Sequence, residues 1–228
     1  MIVGLLHPGE MGAAVGASID ADVVWASDGR SAATHERASG FRDVGSLPAL
    51  VAEADVIVSI CPPHAALDAA RACAGFRGIY VDANAISPQR AREIAGIHPS
   101  FVDGGIVGGP AAPVLYLSGE AAAEVAELFG IETRVVASAS ALKMVYASWS
   151  KGTAAMLLAA REVARHYDVE TDWLLAAPEL AGELTRAQAS AETKGWRWIG
   201  EMEEIADTFA SAGEPDGFHR AAAEVFRA

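Results

Sequence analysis

The sequence has little of what would link it to metals, disulfides, membranes or nucleic acids. Its 228 residues include only two cysteines, Cys61 and Cys73, whose spacing fits neither a metal site nor a disulfide-rich framework. Basic residues number 17 against 30 acidic ones, and a net charge of -13 argues against a nucleic-acid partner, which requires a basic surface. The longest apolar helical run, 152–160, is too short to span a bilayer. No basic segment precedes the first apolar run, so we expect no signal peptide and a soluble, cytoplasmic protein.

The chain does contain enough apolar residues for a sizeable core, since hydrophobic residues make up 52% of it. In the first 138 residues, short apolar runs typical of strands alternate with alanine-rich stretches typical of helices. The predicted strands are Ile2–Leu6, Val23–Ala26, Ala54–Ile60, Gly78–Asp82, Phe101–Asp103 and Val114–Leu117. Such alternation predicts a doubly wound α/β fold, in which helices cover both faces of a parallel sheet.

The pattern changes near residue 138. From Ala139 to about Tyr167, apolar residues recur at steps of three, four or seven, which predicts one long amphipathic helix. Further helices are predicted at residues 172–175, 178–192, 196–212 and 217–227. We therefore divide the chain into an α/β domain of residues 1–138 and a small all-helical domain of residues 139–228, which begins with the long connecting helix.

The long helix predicts a second chain as a partner. One helix cannot bury its whole apolar stripe within so small a domain, so we expect a homodimer through the C-terminal helices, with the site near the domain junction. Trp149, Trp196 and Trp198 belong to this region. They line either an apolar pocket or the dimer interface, and the sequence does not decide between the two.

The stretch GLLHPGEMG, from Gly4 to Gly12, follows the first predicted strand and precedes a predicted helix. In the register of a G-x-G-x-x-G fingerprint, Gly9 and Gly12 hold the second and third places and a histidine holds the first. Gly9 lets backbone approach the pyrophosphate of a dinucleotide, and Gly12 lets the helix pack against the strand. We predict a Rossmann-type cofactor site formed by His7, Pro8, Gly9, Met11 and Gly12. The alternative is a tight turn that binds no ligand.

The end of the second strand reads the ribose in such sites. Here Ser27 stands at the strand end, with Arg30 and Ser31 close behind to hold a 2′-phosphate. This set favours NADP(H) over NAD(H), although Asp28 is equally suited to a ribose hydroxyl. We therefore predict NADP(H), bound by Ser27, Arg30 and Ser31.

Taken in order, several stretches resemble the β-hydroxyacid dehydrogenase family, which includes 6-phosphogluconate and 3-hydroxyisobutyrate dehydrogenases. They are GLLHPGEMG, ADVIVSICPP, YVDANAISP, FVDGGIVGGP and SASALKMVYASWSKG. The resemblance covers nearly the whole chain. It indicates a little-characterised branch with an HPG loop, a DANAISP stretch and a Trp-rich helical C-terminus.

The resemblance implies a catalytic lysine. Lys143 occupies the position from which the family exchanges a proton with the substrate oxygen while hydride moves to or from nicotinamide C4. Burial beside the cofactor would lower the pKa of this lysine toward neutrality, as general acid–base catalysis requires. Tyr146, Ala147 and Ser150 share its helical face and are the predicted substrate contacts. The alternative is a solvated helix lysine without a catalytic role.

The resemblance also implies further contacts. Cys61 and Pro62 correspond to the cofactor loop after a strand, and Asn84 to the polar contact of the next turn. The loop Gly104–Gly109 would position substrate and nicotinamide, with Gly108 and Gly109 offering backbone N–H groups to the substrate.

Three departures from the family pattern bear on the substrate. Ala147 stands where the family has an asparagine, Val107 stands where a serine precedes the paired glycines, and Asn84-Ala85 replaces Ser-Thr.

The function predicted is an NADP(H)-dependent oxidoreductase that interconverts a hydroxyl and a carbonyl group. The alternatives are an imine reductase and a non-catalytic NADP(H)-binding protein. We predict no metal site, because Glu201, Glu203 and Glu204 read as a solvated helix face.

Overall fold

A computed structural model describes residues 1–227 of the chain. Contacts within the chain divide it into two compact units, Met1–Lys143 and Met144–Ala228. The predicted boundary lies at the start of the long helix, at residue 139, whereas the contacts divide the chain after Lys143, one turn into that helix. Within the described residues, none of the helices has the length and apolarity that crossing a membrane requires.

The first unit contains one eight-stranded sheet with the strand order β3-β2-β1-β4-β5-β6-β7-β8. Strands β1 to β6 are parallel, β7 runs antiparallel to β6, and β8 runs parallel to β7. The strand order reverses between β1 and β4, which opens a crevice at their carboxyl ends. The strands are β1 (Ile2–Leu5), β2 (Asp22–Trp25), β3 (Arg42–Asp43), β4 (Val56–Ser59), β5 (Ile79–Asp82), β6 (Phe101–Val107), β7 (Val114–Ser118) and β8 (Thr133–Val135).

Helices cover both faces of this sheet, as the sequence predicts. Side chains alternate along each strand, so Val3 packs into one core with Val15, and Leu6 packs into the other with Leu50 and Ile94. The helices are α1 (Glu10–Gly16), α2 (Ala32–Arg37), α3 (Leu47–Glu53), α4 (Ala66–Ala72), α5 (Pro88–Ala95) and α6 (Ala122–Ala126). The doubly wound α/β fold class is therefore confirmed.

The structure differs from the sequence prediction at three strands. β3 and β8 were not predicted, because strands of two and three residues with exposed side chains carry no hydrophobic pattern. β6 continues to Val107, so most of the predicted loop Gly104–Gly109 is strand, paired with β7. Glycine is needed there because a Cβ on Gly104 would lie 2.8 Å from the carbonyl oxygen of Asp82.

The second unit is helical. α7 (Ala139–His166) agrees with the predicted long helix and runs from the first unit into the second, where α8 (Glu170–Ala176), α9 (Leu180–Ser211) and α10 (Gly217–Arg227) follow. α9 is one helix where two were predicted. The gap between the two predicted helices, residues 193–195, includes Gly195, which is buried inside α9, and a Cβ there would lie 3.8 Å from the Phe226 carbonyl oxygen in α10. Close packing of α10 thus outweighs the low helix propensity of glycine.

Gly105 is the point at which α7 approaches the sheet, and we predict that Gly105→Ala destabilises the protein. A Cβ there would lie 2.9 Å from the Ala139 carbonyl oxygen and 3.0 Å from the Lys143 Cβ. Overpacking of this kind lowers the free energy of unfolding by about 1–3 kcal/mol, which urea denaturation will measure. Gly40→Ala is the control, because Gly40 is exposed with open space around it. Equal unfolding free energies for the two variants would contradict the close approach.

Candidate functional site

The turn between β1 and α1 closes on one carbonyl group. The N–H of Gly9 donates to the carbonyl oxygen of His7 at 2.8 Å. A Cβ on Gly12 would lie 2.2 Å from the same oxygen, so only glycine fits there. The predicted reason for Gly12 was contact with the strand; the nearest atom instead belongs to the turn itself. Pro8 is buried within this turn.

Gly9 has neither of the usual structural reasons to be glycine. Its φ of -70° and ψ of -171° suit any residue, and a Cβ would meet nothing within 4 Å. Met11, two residues on, packs its side chain against the core beneath α1. Met11 therefore offers a ligand its backbone N–H, which in the first turn of a helix has no acceptor within that helix.

Arg30, which the sequence assigns to a 2′-phosphate, reaches the end of β1 in this structure. Its Nη2 donates to the Leu6 carbonyl oxygen at 3.1 Å, just before the turn. Its Nε is buried and has no hydrogen-bond partner among residues 1–227, and the same is true of His7 Nδ1. Burial and the nearby positive charge of Arg30 lower the pKa of His7 to about 4. His7 is therefore a neutral imidazole at physiological pH.

The other two residues predicted at the adenosine end have protein partners. Ser31 caps α2, accepting the N–H of Thr34 on its hydroxyl at 3.3 Å. Asp43, at the end of β3, accepts the N–H of Gly45 at 2.8 Å and hydrogen bonds from Ser27, and these bonds lower the pKa of the Asp43 carboxyl. The sequence analysis missed Asp43 because β3 is so short; the spacing Asp-Val-Gly, typical of a side-chain-to-backbone turn, was the available signal.

Asn84 ties the ends of β4 and β5 together. Its Oδ1 accepts the N–H of Cys61, and its Nδ2 donates to Ser59 Oγ at 3.1 Å and to Asp82 Oδ2 at 2.8 Å. Asn84 is 2% exposed, so these hydrogen bonds hold its amide between the two strand ends. Burial and the charge of Asp82 raise the pKa of the Cys61 thiol to about 12. Pro62 accepts the Ala65 N–H at 2.9 Å, which begins a 3-10 turn at Pro63–Ala65.

Lys143 lies one turn into α7, and β6 holds the start of that helix. Asp103 Oδ2 accepts the N–H and the hydroxyl of Ser140, each at 2.9 Å, and the hydroxyl of Ser118 at 3.0 Å. Ser118 Oγ in turn accepts the Ala139 N–H at 2.9 Å. Burial raises the pKa of Asp103, and these hydrogen bonds oppose the shift. A buried aspartate before the glycine pair of FVDGG was the signal that the sequence analysis did not use.

The predicted substrate contacts fall into three groups. Gly108 has a φ of +96°, and a Cβ there would lie 2.6 Å from the Ala112 carbonyl oxygen, so this glycine makes the β6–β7 turn. Gly109, the next residue, is exposed. Tyr146 and Ser150 on α7 are also exposed. Ala147 is 0% exposed, and its side chain packs within the protein.

The second unit corrects the prediction of a solvated glutamate face on α9. Glu201 and Glu204 are buried, whereas Glu203 is exposed as predicted, and Glu201 pairs with Lys151 of α7 at 2.8 Å. Trp198 lies over the same lysine, 5.9 Å from its Nζ to the ring centre. Trp198 also lines a groove of about 250 Å³ between α7 and α9. Trp149 and Trp196 are instead 76% and 61% exposed.

Sequence comparisons match two parts of the chain. Residues 164–228 match a domain of unknown function, DUF1932. A curated relative, the uncharacterized 28.5 kDa protein in the 7S RNA 5′ region of Methanothermus fervidus, is 34% identical over 125 residues, which is 50% of this chain. The matched part also spans only about half the length of that relative.

Solved structures match over nearly the whole chain. The conserved protein MTH1747 of unknown function, whose structure is described as similar to 3-hydroxyacid dehydrogenases, has a TM-score of 0.72 and 29% identity, over 100% of this chain and 96% of that one. Mycobacterium tuberculosis 3-hydroxyisobutyrate dehydrogenase, with L-serine, has a TM-score of 0.69 and 16% identity, over 99% and 92%. A reductive aminase from Aspergillus terreus, with NADPH and ethyl-5-oxohexanoate, has a TM-score of 0.61 and 15% identity, over 99% and 92%.

The lowered pKa of His7 predicts that acid destabilises the protein partly through this residue. The unfolded chain takes up a proton near the ordinary pKa of 6.5 and the folded chain only near 4. The unfolded state thus binds more protons in this window, and stability falls as pH falls from 6.5 to 4. His7→Asn will show a shallower dependence of the melting temperature on pH there. Burial also lowers the pKa values of His98 and His219, so a residual slope will remain. Identical slopes for the variant and the wild type would contradict the buried, neutral His7.

Proposed function

We propose that the chain is an NAD(P)-dependent oxidoreductase of the β-hydroxyacid dehydrogenase family, in a little-characterised branch. The reaction proposed is the interconversion of a hydroxyl and a carbonyl group on a small molecule. The fold likeness to 3-hydroxyisobutyrate dehydrogenases supports the reaction class, because these neighbours share both the sheet and the long helix that carries Lys143.

Gly9 is the observation that carries the cofactor assignment. Nothing inside the chain requires glycine there, and a side chain would project into open space outside the turn. Apart from the preference for glycine over alanine at a helix N-cap, close approach of a ligand to the backbone is the reason that remains for glycine at that place in the fingerprint. The turn lies at the strand-order reversal between β1 and β4, where dinucleotides bind in folds of this type. The residues present therefore fit a dinucleotide pyrophosphate, held by Gly9 and the backbone of Met11 and Gly12.

The cofactor and the residues of the chain have different roles in the proposed reaction. When bound, a nicotinamide cofactor supplies or accepts the hydride. Lys143 holds the proton that the substrate oxygen gains on reduction or loses on oxidation, which is general acid–base catalysis. Asp103 and Ser140 fix the first turn of α7, so the backbone that carries Lys143 is set by β6. Gly108 and Gly109 are proposed to offer their backbone to the substrate.

We retain NADP(H) over NAD(H) as the proposed preference. NADP⁺ or NADPH is bound in several structural neighbours, which supports the class of cofactor. In this chain the preference now depends on Ser27 and Ser31, because Arg30 is directed to Leu6. The ratio of the dissociation constants of NADH and NADPH will test it, and a ratio below one would contradict it.

Reduction of a C=N bond is the second candidate, favoured by the fold likeness to a reductive aminase. The presence of Lys143 places hydroxyl–carbonyl chemistry first, since a lysine suits proton transfer to an oxygen. Turnover of hydroxy acids against turnover of cyclic imines distinguishes the two reactions.

We predict that Lys143→Ala removes catalysis and leaves cofactor binding intact. Loss of a general acid–base group lowers kcat by roughly 100-fold or more, whereas the backbone contacts to the cofactor remain. Steady-state rates on a hydroxy-acid and imine panel, together with NADPH titration, are the measurement. Lys194→Ala is the control, because Lys194 is exposed on α9. If the wild type turns over no substrate in a Lys143-dependent way yet binds NADPH, the protein is a non-catalytic cofactor binder and the proposal fails.

We also propose a homodimer through the C-terminal helices. Val145, Trp149, Met156 and Val163 recur on α7 at steps of four and seven and are 62%, 76%, 53% and 58% exposed. A continuous apolar stripe of this kind is typical of a protein–protein interface. A second copy of the same helix offers a self-complementary partner, as two-fold dimers require.

Trp149→Glu is expected to dissociate this dimer. A buried charge in place of a central aromatic side chain raises the dimer dissociation constant by about tenfold or more, as sedimentation will measure. Ser39→Glu adds the same charge at an exposed position of the first unit and serves as the control. A wild type that sediments as a monomer would exclude the dimer, and an unaltered Trp149→Glu dimer would exclude this stripe as its interface.

A further inference from the structure

Two buried nitrogen atoms at the end of β1 have no hydrogen-bond partner within residues 1–227. They are Nδ1 of His7 and Nε of Arg30. Buried polar atoms in folded proteins are nearly always satisfied, so each such atom requires an explanation. Both belong to the β1 crevice, and the charge of Arg30 acts on the imidazole of His7. A shared partner from outside the chain explains both atoms at once.

The protein holds Arg30 in place for such a partner. Its Nη2 donates to the Leu6 carbonyl oxygen at 3.1 Å, and Leu6 is itself fixed by its N–H, which donates to Val58 of β4 at 3.1 Å. The guanidinium group therefore lies at the strand-order reversal, one residue before the turn. The Nε–H has no acceptor among residues 1–227, and the charge of the guanidinium group acts on the imidazole of His7.

The charges of the two side chains suit one oxyanion. Arg30 is a cation, and His7 stays neutral because burial and Arg30 both disfavour its protonated form. A neutral imidazole donates one hydrogen bond from Nδ1 when its proton is there. Two N–H donors with a single positive charge match one singly charged phosphodiester oxygen, and such charge-assisted hydrogen bonds are the strong ones.

The adenosine 2′-phosphate is a poorer match for Arg30. At that end of the sheet Ser27 is bonded to the carboxylate of Asp43, whose lowered pKa keeps it charged. Arg30 meanwhile is committed to the Leu6 carbonyl group, at the end of β1.

We propose that His7 and Arg30 together bind a pyrophosphate oxygen of the cofactor. The pair adds side-chain donors to a turn in which a glycine fingerprint offers backbone alone. This inference rests on the proposed function, and it assigns to Arg30 and His7 a role that does not depend on the 2′-phosphate. Loss of either residue should therefore weaken NADPH, NADH and ADP-ribose by the same factor.

Calorimetric titration of the full chain with NADPH, NADH and ADP-ribose tests the pair. The variants are His7→Gly, which restores the fingerprint residue, and Arg30→Lys, which keeps the charge but loses the Nε–H. Each is expected to weaken all three ligands by about tenfold, the effect of losing a charge-assisted hydrogen bond. The double variant should lose less than the product of the single losses, because both donors serve one oxygen. His166→Asn and Arg37→Lys, both exposed in the structure, are the matched controls.

The outcomes separate this inference from the proposed function. Unchanged affinities in His7→Gly would show that His7 is only a turn residue and would overturn the pair. A loss in Arg30→Lys confined to NADPH would assign Arg30 to the 2′-phosphate and would also overturn it. A wild type that binds none of the three ligands would refute the proposed function itself. Thermal melting of each variant checks that weakened binding is not unfolding.

Discussion

The carbonyl group of His7 is the constraint on which the candidate site depends. It accepts the Gly9 N–H, and Gly12 sits so close above it that a single Cβ would clash. This contact closes the turn immediately before α1, and the charge of Arg30 acts on the imidazole of His7 there. A histidine at the first place of the fingerprint is therefore compatible with the fold, because the space restriction applies to Gly12 and not to the His7 side chain.

A second constraint acts at β6, three strands away. Asp103 and Ser118 hold the first residues of α7, and Gly105 lets the helix approach the sheet. The two glycine pairs of FVDGGIVGGP therefore have different roles. In the first pair, Gly104 and Gly105, the second glycine lets α7 pack closely against β6, and the second pair begins with Gly108, which makes the turn between β6 and β7. Because these contacts fix the start of α7, they also fix the backbone that carries Lys143. The position of the proposed acid–base group therefore depends on the sheet, as the position of the glycine turn does.

Much of the fold was predictable, because long apolar runs and helical periodicity depend on local sequence. The six longer strands, both covered faces and α7 follow from such patterns, whereas β3 and β8 are too short to show one. Side-chain orientation in the site depends instead on contacts between distant segments. Arg30 donates to Leu6, the amide of Asn84 forms hydrogen bonds between β4 and β5, and Ala147 is buried. The spacing of the motifs along the chain predicts none of these contacts.

A dinucleotide that approaches the backbone at Gly9 makes cofactor binding sensitive to a single methyl group there, and one pair of variants tests this. Titration of NADPH and NADH into Gly9→Ala, alongside its unfolding free energy, separates binding from folding. We expect the free energy of unfolding of Gly9→Ala to lie within about 1 kcal/mol of the wild-type value, because alanine is a slightly poorer helix cap than glycine. The affinity of this variant for the cofactor should fall by roughly tenfold or more. Gly12→Ala should instead lose stability, since its Cβ would clash inside the turn. Wild-type affinity in a well-folded Gly9→Ala would contradict the claim.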